Sequence, residues 1–261
     1  MTTDPIAAAL LESDRMYFEL GARVEPLDGA VLAWVPGMQR APAACVVQRV
    51  ADGLGPIAAE PRQWVTEVTE RLTTMGCSVA RVYVDSPAPD LEVALAEAGF
   101  RRRVEIGYVW PGHLPGGRAD VSLRPILTEA DWAAKVALHA GEQEAVDGHA
   151  LSAESWVELE RAKCDGGQMQ AYLIEVEGDV CGAIAGIRVD GLLRAKNVFV
   201  RADRRREGIG SEAMSRMTGE AVAEGRRATG IFGVEGKPGN ALYRNLGMTP
   251  KVERIEWSRP L

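Results

Sequence analysis

From Val198 to Ser211 the chain reads Val-Phe-Val-Arg-Ala-Asp-Arg-Arg-Arg-Glu-Gly-Ile-Gly-Ser, and few folds accommodate such a run. An apolar strand passes directly into a turn holding Arg201, Arg204, Arg205 and Arg206, and Gly208-Ile209-Gly210 then opens a helix. Glycines let backbone N–H groups approach a ligand closely, and the helix N-terminus brings the positive end of its dipole to the same point. Arginines add fork-shaped donors suited to phosphate oxygens. The combination implies a pyrophosphate site at a strand-to-helix junction; the plain alternative is a solvated basic turn. It is neither common phosphate fingerprint, because it lacks the Lys-Ser/Thr of a P-loop and the third glycine of the dinucleotide motif.

The 261 residues, 46% apolar and 26% charged, suffice for one large or two small domains with real cores. The net charge of -7 argues against a nucleic-acid partner, whose footprint is basic, and mildly favours a cationic small substrate. No run approaches the roughly 18–20 apolar residues that span a bilayer. The segment Met1 to Leu11 carries Asp4 and no basic residue, so it does not read as a secretory signal. Cys45, Cys77, Cys164 and Cys181 form no C-x-x-C pair and read as free thiols of a reducing compartment. The expectation is a cytoplasmic protein, monomeric or homodimeric, with no metal and no membrane partner.

Two prolines and three glycines between Trp110 and Gly117 can continue neither strand nor helix and mark a linker. The expected domains are 1–112 and 118–261. In the second, strands are expected over Val121 to Ile126, Gln170 to Val176, Val180 to Val189, Leu193 to Val200, Thr229 to Val234 and Val252 to Trp257. Helices are expected after the caps Thr128 and Ser152, from Gly210 to Glu224, and over Asn240 to Leu246. The first echoes the later part of that order: strands Cys45 to Val50, Ala80 to Val84 and Arg103 to Val109, with helices Pro61 to Met75 and Asp90 to Ala98. Setting Gly99 against Gly247 brings Val104-Glu105 onto Val252-Glu253, the mark of a degenerate internal repeat.

Arg205-Arg206-Glu207-Gly208-Ile209-Gly210 resembles the R/Q-x-x-G-x-G/A signature of the GNAT acetyltransferase superfamily, and Asn240-Ala-Leu-Tyr-Arg-Asn-Leu-Gly-Met248 resembles its second signature, of A-x-L-Y-x-x-x-G-F type. With the preceding three-strand meander, the resemblance covers about Val121 to Trp257. The whole is similar to a tandem GNAT protein: an α/β (α+β) fold of two lobes, each a mixed, mainly antiparallel sheet flanked by helices, the second complete and the first truncated.

That resemblance implies transfer of an acetyl group from acetyl-CoA to an amine. Coenzyme A would lie in a splay between the strands ending at Val200 and near Val234, its amides on the backbone of Val198 and Val200. Its pyrophosphate would sit on the amides from Arg205 through Arg206, Gly208, Ile209 and Gly210 to Ser211. The backbone near Phe199 would stabilise the thioester oxyanion, and Asn240 would contact the pantetheine. Tyr243 matches the general-acid position, which in the first lobe holds Leu95. Glu235 is the first candidate for the base. Glu142, Glu144 and Asp147, flanked by His139 and His149, form either a seat for a cationic amine or a solvated loop.

The first lobe lacks arginines between Val50 and Pro61, and Pro56 removes a donor there, so this lobe reads as a scaffold or pocket wall. Tyr17, Trp34 and Trp64 could line that pocket or simply fill the core. The leading expectation is therefore an N-acetyltransferase for a primary amine of a small, cationic metabolite such as a polyamine, or of an amino sugar or aminoglycoside-like antibiotic. Acetylation of a peptide and non-catalytic acyl-CoA binding are the alternatives.

Overall fold

The computed structural model describes residues 4–50, 57, 60–110, 117–140, 145–146, 149–150 and 152–261. The chain opens on helix α1 (Pro5–Glu19). Asp4 caps it by accepting from the amides of Ile6 at 2.9 Å and Ala7 at 3.3 Å, which satisfies two of the donors that every helix start leaves unpaired. Strands β1 (Arg23–Leu27), β2 (Ala30–Trp34) and β3 (Cys45–Val50), helix α2 (Pro61–Thr74), strand β4 (Val79–Val84), helix α3 (Pro89–Glu97) and strand β5 (Arg101–Trp110) complete the first half.

The second half begins with β6 (Val121–Pro125) and α4 (Glu129–His139), where Thr128 and Asp131 form a reciprocal capping box. A short pair, β7 (Ala145–Val146) and β8 (His149–Ala150), precedes α5 (Ala153–Cys164). Then come β9 (Met169–Val176), β10 (Asp179–Val189), β11 (Leu192–Val200), α6 (Ile209–Ala223), β12 (Ala228–Val234), α7 (Pro238–Asn245) and β13 (Thr249–Pro260). Most elements fall within a few residues of the sequence expectation. Helix α1 and strands β1 and β2 lie where the sequence reading assigns no element.

The mixed, mainly antiparallel sheet flanked by helices is present, and both halves build it as one. Its order is β1-β2-β3-β4-β13-β5-β12-β11-β10-β9-β6. The parallel neighbours are β3 with β4 and β11 with β12. Between these pairs the halves exchange their last strands: β5 lies against β12 of the second half, and β13 lies against β4 of the first. β5 and β13 also pair with each other, from Thr249↔Val109 to Ser258↔Arg101.

Helix α1 crosses one face of this joint. Gly107 on β5 and Gly230 on β12 make room for it, since a Cβ at either would come within 2.8 Å and 2.7 Å, respectively, of the Leu10 side chain. On the opposite face α6 and α7 cover Ile106, Tyr108, Ile184 and Ile231. The first half has its own core around Trp64, Leu72, Val82 and Leu95; Trp64 belongs to this core, and its indole donates to the Asp28 carbonyl at 2.9 Å.

Candidate active site

The parallel strands β11 and β12 are in register only over Leu192↔Ala228, Leu193↔Thr229 and Arg194↔Gly230. Beyond Arg194 they part, which leaves the backbone of Ala195 to Val200 without a strand neighbour on that side. A bulge accompanies the parting: Ala183 faces Phe199 and Ala185 faces Lys196, so two residues of β11 oppose one of β10. Asn197, in the bulge, has a φ of 52°, a conformation that asparagine tolerates better than most residues.

A cavity of about 390 Å³ opens where the strands separate. Its walls are Glu105 of β5, His139 of α4, Trp156 of α5, Lys196 to Phe199 of β11, Ile231, Phe232 and Val234 of β12, and Tyr243 of α7. Tyr243 is 8% exposed, and burial pushes its phenol up to about 12. Its ring lies 5.7 Å from that of Tyr108. The His139 and Phe199 rings are 4.4 Å apart and close one side.

The arginine turn stands at the far end of β11. Gly208 takes the left-handed conformation, with φ 80°, directly before α6. No side chain caps this helix, and a Cβ on Gly208 would meet nothing within 4 Å. Arg206 is also left-handed, with φ 67°. Arg205 donates through Nε to the Val200 carbonyl at 2.9 Å and lies over the Phe199 ring, 5.7 Å from its centre. The end of the linker braces the turn from outside. Arg118 donates to the Glu207 carbonyl at 2.7 Å, while Glu212 in the first turn of α6 accepts from the amides of Gly117 at 2.8 Å and Arg118 at 3.1 Å.

The sequence-derived candidates separate into three groups. Val198, Phe199 and Tyr243 line the cavity, while Val200, Arg205, Arg206, Gly208, Gly210 and Ser211 surround the turn, with Ile209 turned into the core. Asn240 is buried and donates to the Val234 carbonyl at 2.7 Å, which ties α7 to the end of β12. Glu235 is exposed on the turn after β12, where its amide donates to the Val104 carbonyl at 2.9 Å, and it is not among the residues lining the cavity. Glu142, Glu144 and Asp147 lie outside the described residues, as does Pro56.

Three residues that sequence reading passed over face the cavity: Glu105, Lys196 and Trp156. Glu105 reaches it only because β5 is exchanged into the second half, where it sits opposite Val234. Burial raises the Glu105 carboxyl above the ordinary range, and the charges of Asp14 and Glu256 add to that; Lys196 and Arg103 oppose it. Beneath it runs a buried ionic layer. Asp14 of α1 bridges Arg194 and Arg254, and Arg254 also donates to Asp85 at 3.0 Å and to Gln48 at 3.2 Å. Burial pushes Asp14 up, but the two guanidiniums outweigh it and hold the carboxyl well below its usual range. Tyr17 lies in this layer, between the ammonium groups of Lys196, 4.0 Å from its ring centre, and Lys163, at 4.5 Å. The signal in the sequence was Arg194 and Lys196 two residues apart in a mostly apolar strand, which puts both on one face.

Among the described residues, no helix is long and apolar enough to cross a membrane, and no group of three or more His, Cys, Asp or Glu could hold a metal ion. No family model matches the sequence, and no curated protein matches it. Solved structures do. A GCN5-related N-acetyltransferase from Kribbella flavida shares the fold with a TM-score of 0.67 at 20% identity, over 98% of this chain and 95% of that one. For a GCN5-related N-acetyltransferase from Sphaerobacter thermophilus the TM-score is 0.61 at 16% identity, over 98% and 90%. For a tandem GNAT protein from the clavulanic acid biosynthesis pathway it is 0.57 at 16% identity, over 88% and 78%. At these identities the likeness is one of fold, and the chain has the GNAT fold.

Proposed function

We propose that this chain is an acyl-CoA-dependent N-acetyltransferase that moves an acetyl group from acetyl-CoA to the primary amine of a small molecule. One observation carries the reading: the Tyr243 phenol and the Glu105 carboxyl line a single cavity where β11 and β12 part. The GNAT fold of the neighbouring structures supports it.

The residues suit the acyl donor. The uncapped start of α6 leaves its first amides without a side-chain acceptor, and the open space over Gly208 lets a diphosphate approach them. Arg205 and Arg206 stand exposed beside that space. When bound, the donor supplies an acetyl group activated as a thioester.

Glu105 is the base of this proposal, in place of Glu235. Its raised carboxyl is a stronger acceptor of protons near neutral pH than an ordinary one. By taking a proton from the acceptor's ammonium, Glu105 frees the nitrogen lone pair that forms the new C–N bond. The bulged backbone near Phe199 polarises the carbonyl oxygen, an effect worth roughly 3–4 kcal/mol per donor. Tyr243 stays protonated at neutral pH and gives its proton to sulfur as the C–S bond breaks. Two protons leave the nitrogen in all: one ends on the thiol by way of Tyr243, and the other reaches water by way of Glu105. The first half of the chain then acts as scaffold and as donor of the base.

Thermal-shift titration with acetyl-CoA, followed by thiol-release assays over a panel of small amines, tests the proposal. Stabilisation by acetyl-CoA and amine-dependent thiol release are expected. Failure of both overturns it.

A further inference from the structure

Among the described residues, the buried and half-buried cations Lys135, Lys163, Arg194, Arg254 and Arg103 around this cavity are partnered; the half-buried Lys196 is the exception. Lys135 pairs with Glu160 at 2.6 Å, and Lys163 donates to the Tyr17 carbonyl at 2.9 Å. Arg194 and Arg254 share Asp14, and Arg103 pairs with Glu256. Lys196 lines the cavity and rests on the Tyr17 ring, yet its ammonium makes no hydrogen bond and no ion pair among the described residues. Asp14, the acid beneath it, is already held by two guanidiniums. A cation taken out of water without an anion is costly, so a fold that keeps one facing a ligand cavity leaves a place for an anion there.

Glu105 sets the opposite charge on another wall. Lys196 is on β11 and Glu105 on β5, with β12 between them. A ligand that neutralises both walls carries an ammonium toward Glu105 and an anion toward Lys196. Trp156, Phe232, Ile231 and Val234 add apolar surface, and His139, Ser152 and Asn197 add polar groups.

Resting on the acetyltransferase reading above, we infer that the acceptor is an amino acid or a close relative, a primary amine whose carboxylate pairs with Lys196 while its amine lies at Glu105. This replaces the cationic acceptor expected from composition. A polyamine would bring a second ammonium against Lys196 instead of a partner for it.

The test compares matched pairs in thiol-release assays with acetyl-CoA: the twenty amino acids, β-alanine and γ-aminobutyrate, each against its decarboxylated amine, with putrescine as the diamine. The best acceptor is expected to be an amino acid, preferred over its decarboxylated partner by about tenfold or more in kcat/KM. In K196M the difference within that pair should shrink to about two- to threefold, mostly through KM, while K196R retains more of it. The acetyl-CoA dissociation constant of K196M should stay within about twofold of the parent. Equal or better turnover of the plain amines or putrescine by the parent protein overturns the inference without needing any variant. A preference that survives in K196M overturns it too. If amines are acetylated without regard to a carboxylate, this inference alone falls. If acetyl-CoA neither binds nor releases thiol, the acetyltransferase reading falls with it.

Discussion

Glu105 stands in register with Val234 across an antiparallel ladder, although the two residues belong to opposite halves of the chain. That pairing puts a carboxyl from the first half into the cavity of the second. The parting of β11 from β12 then gives this carboxyl and the Tyr243 phenol one common space. The site is thus a product of strand order, and neither half builds it alone.

Tyr243→Phe removes the proposed proton donor and leaves the ring against Tyr108. Turnover should fall by about 100-fold, as loss of a general acid does, while acetyl-CoA affinity changes by less than about threefold. Steady-state kinetics with calorimetric binding of acetyl-CoA measure both quantities. Undiminished turnover would remove Tyr243 from the chemistry.

Glu105→Gln should lower kcat/KM by about 100-fold or more, whereas the exposed Glu235→Gln should stay within about twofold of the parent. The proposed base acts only when ionised, so activity should rise with pH through the Glu105 titration. Because burial and the charges of Asp14 and Glu256 raise that carboxyl, the acid limb should lie above the ordinary glutamate value of about 4.3. The pH profile of kcat/KM checks this, and the limb should be missing in Glu105→Gln.

Lys196 ties stability to pH. Burial, and after it the charge of Arg194, push its ammonium down to about 8, against about 10.4 in an unfolded chain. Between these values the unfolded state binds more protons, so the folded state gains as pH rises, and below pH 8 it bears the full cost. Lys196→Met should therefore raise stability by roughly 1–2 kcal/mol at pH 7, or about 2–6 °C in Tm. The gain should fade toward pH 10. Thermal unfolding at the two pH values decides it.

The Asp14 charge, unlike that of Lys196, stabilises the fold, though both make stability rise with pH. Removing its charge in Asp14→Asn leaves Arg194 and Arg254 buried against a neutral group, at a cost of about 3–5 kcal/mol. The contribution of its carboxylate is present above the unfolded value of about 3.9 and is lost as pH falls toward the lower folded value. Urea unfolding at pH 7 and pH 3 should show the gap between parent and variant narrowing in acid.

The run from Val198 to Ser211 and the segment around Tyr243 announced themselves because their geometry is local: a strand, an uncapped turn and a helix start within fourteen residues. Glu105 could not be read the same way. Its strand pattern was plain, but which neighbours that strand takes depends on a pairing between distant segments, and an internal resemblance of Glu105 to Glu253 says nothing of exchange. Lys196 was hidden because the parting of β11 from β12 that opens a cavity beside it depends on pairing between distant segments. Helix α1 was missed because its apolar face, Ala7, Leu10, Tyr17 and Phe18, is interrupted by the buried Ser13 and Asp14, polar residues that make sense only beside Arg194 and Arg254.

The crossing of β5 and β13 has a consequence for any attempt to separate the two parts of this molecule. A cut between residues 110 and 117 would free two fragments, each with a vacant slot shaped for the other's terminal strand. Such fragments should be insoluble when made singly and, if the proposed activity holds, recover acetyl transfer when mixed. Losing either fragment would leave unpaired strand edge in the other, the kind of edge that invites aggregation.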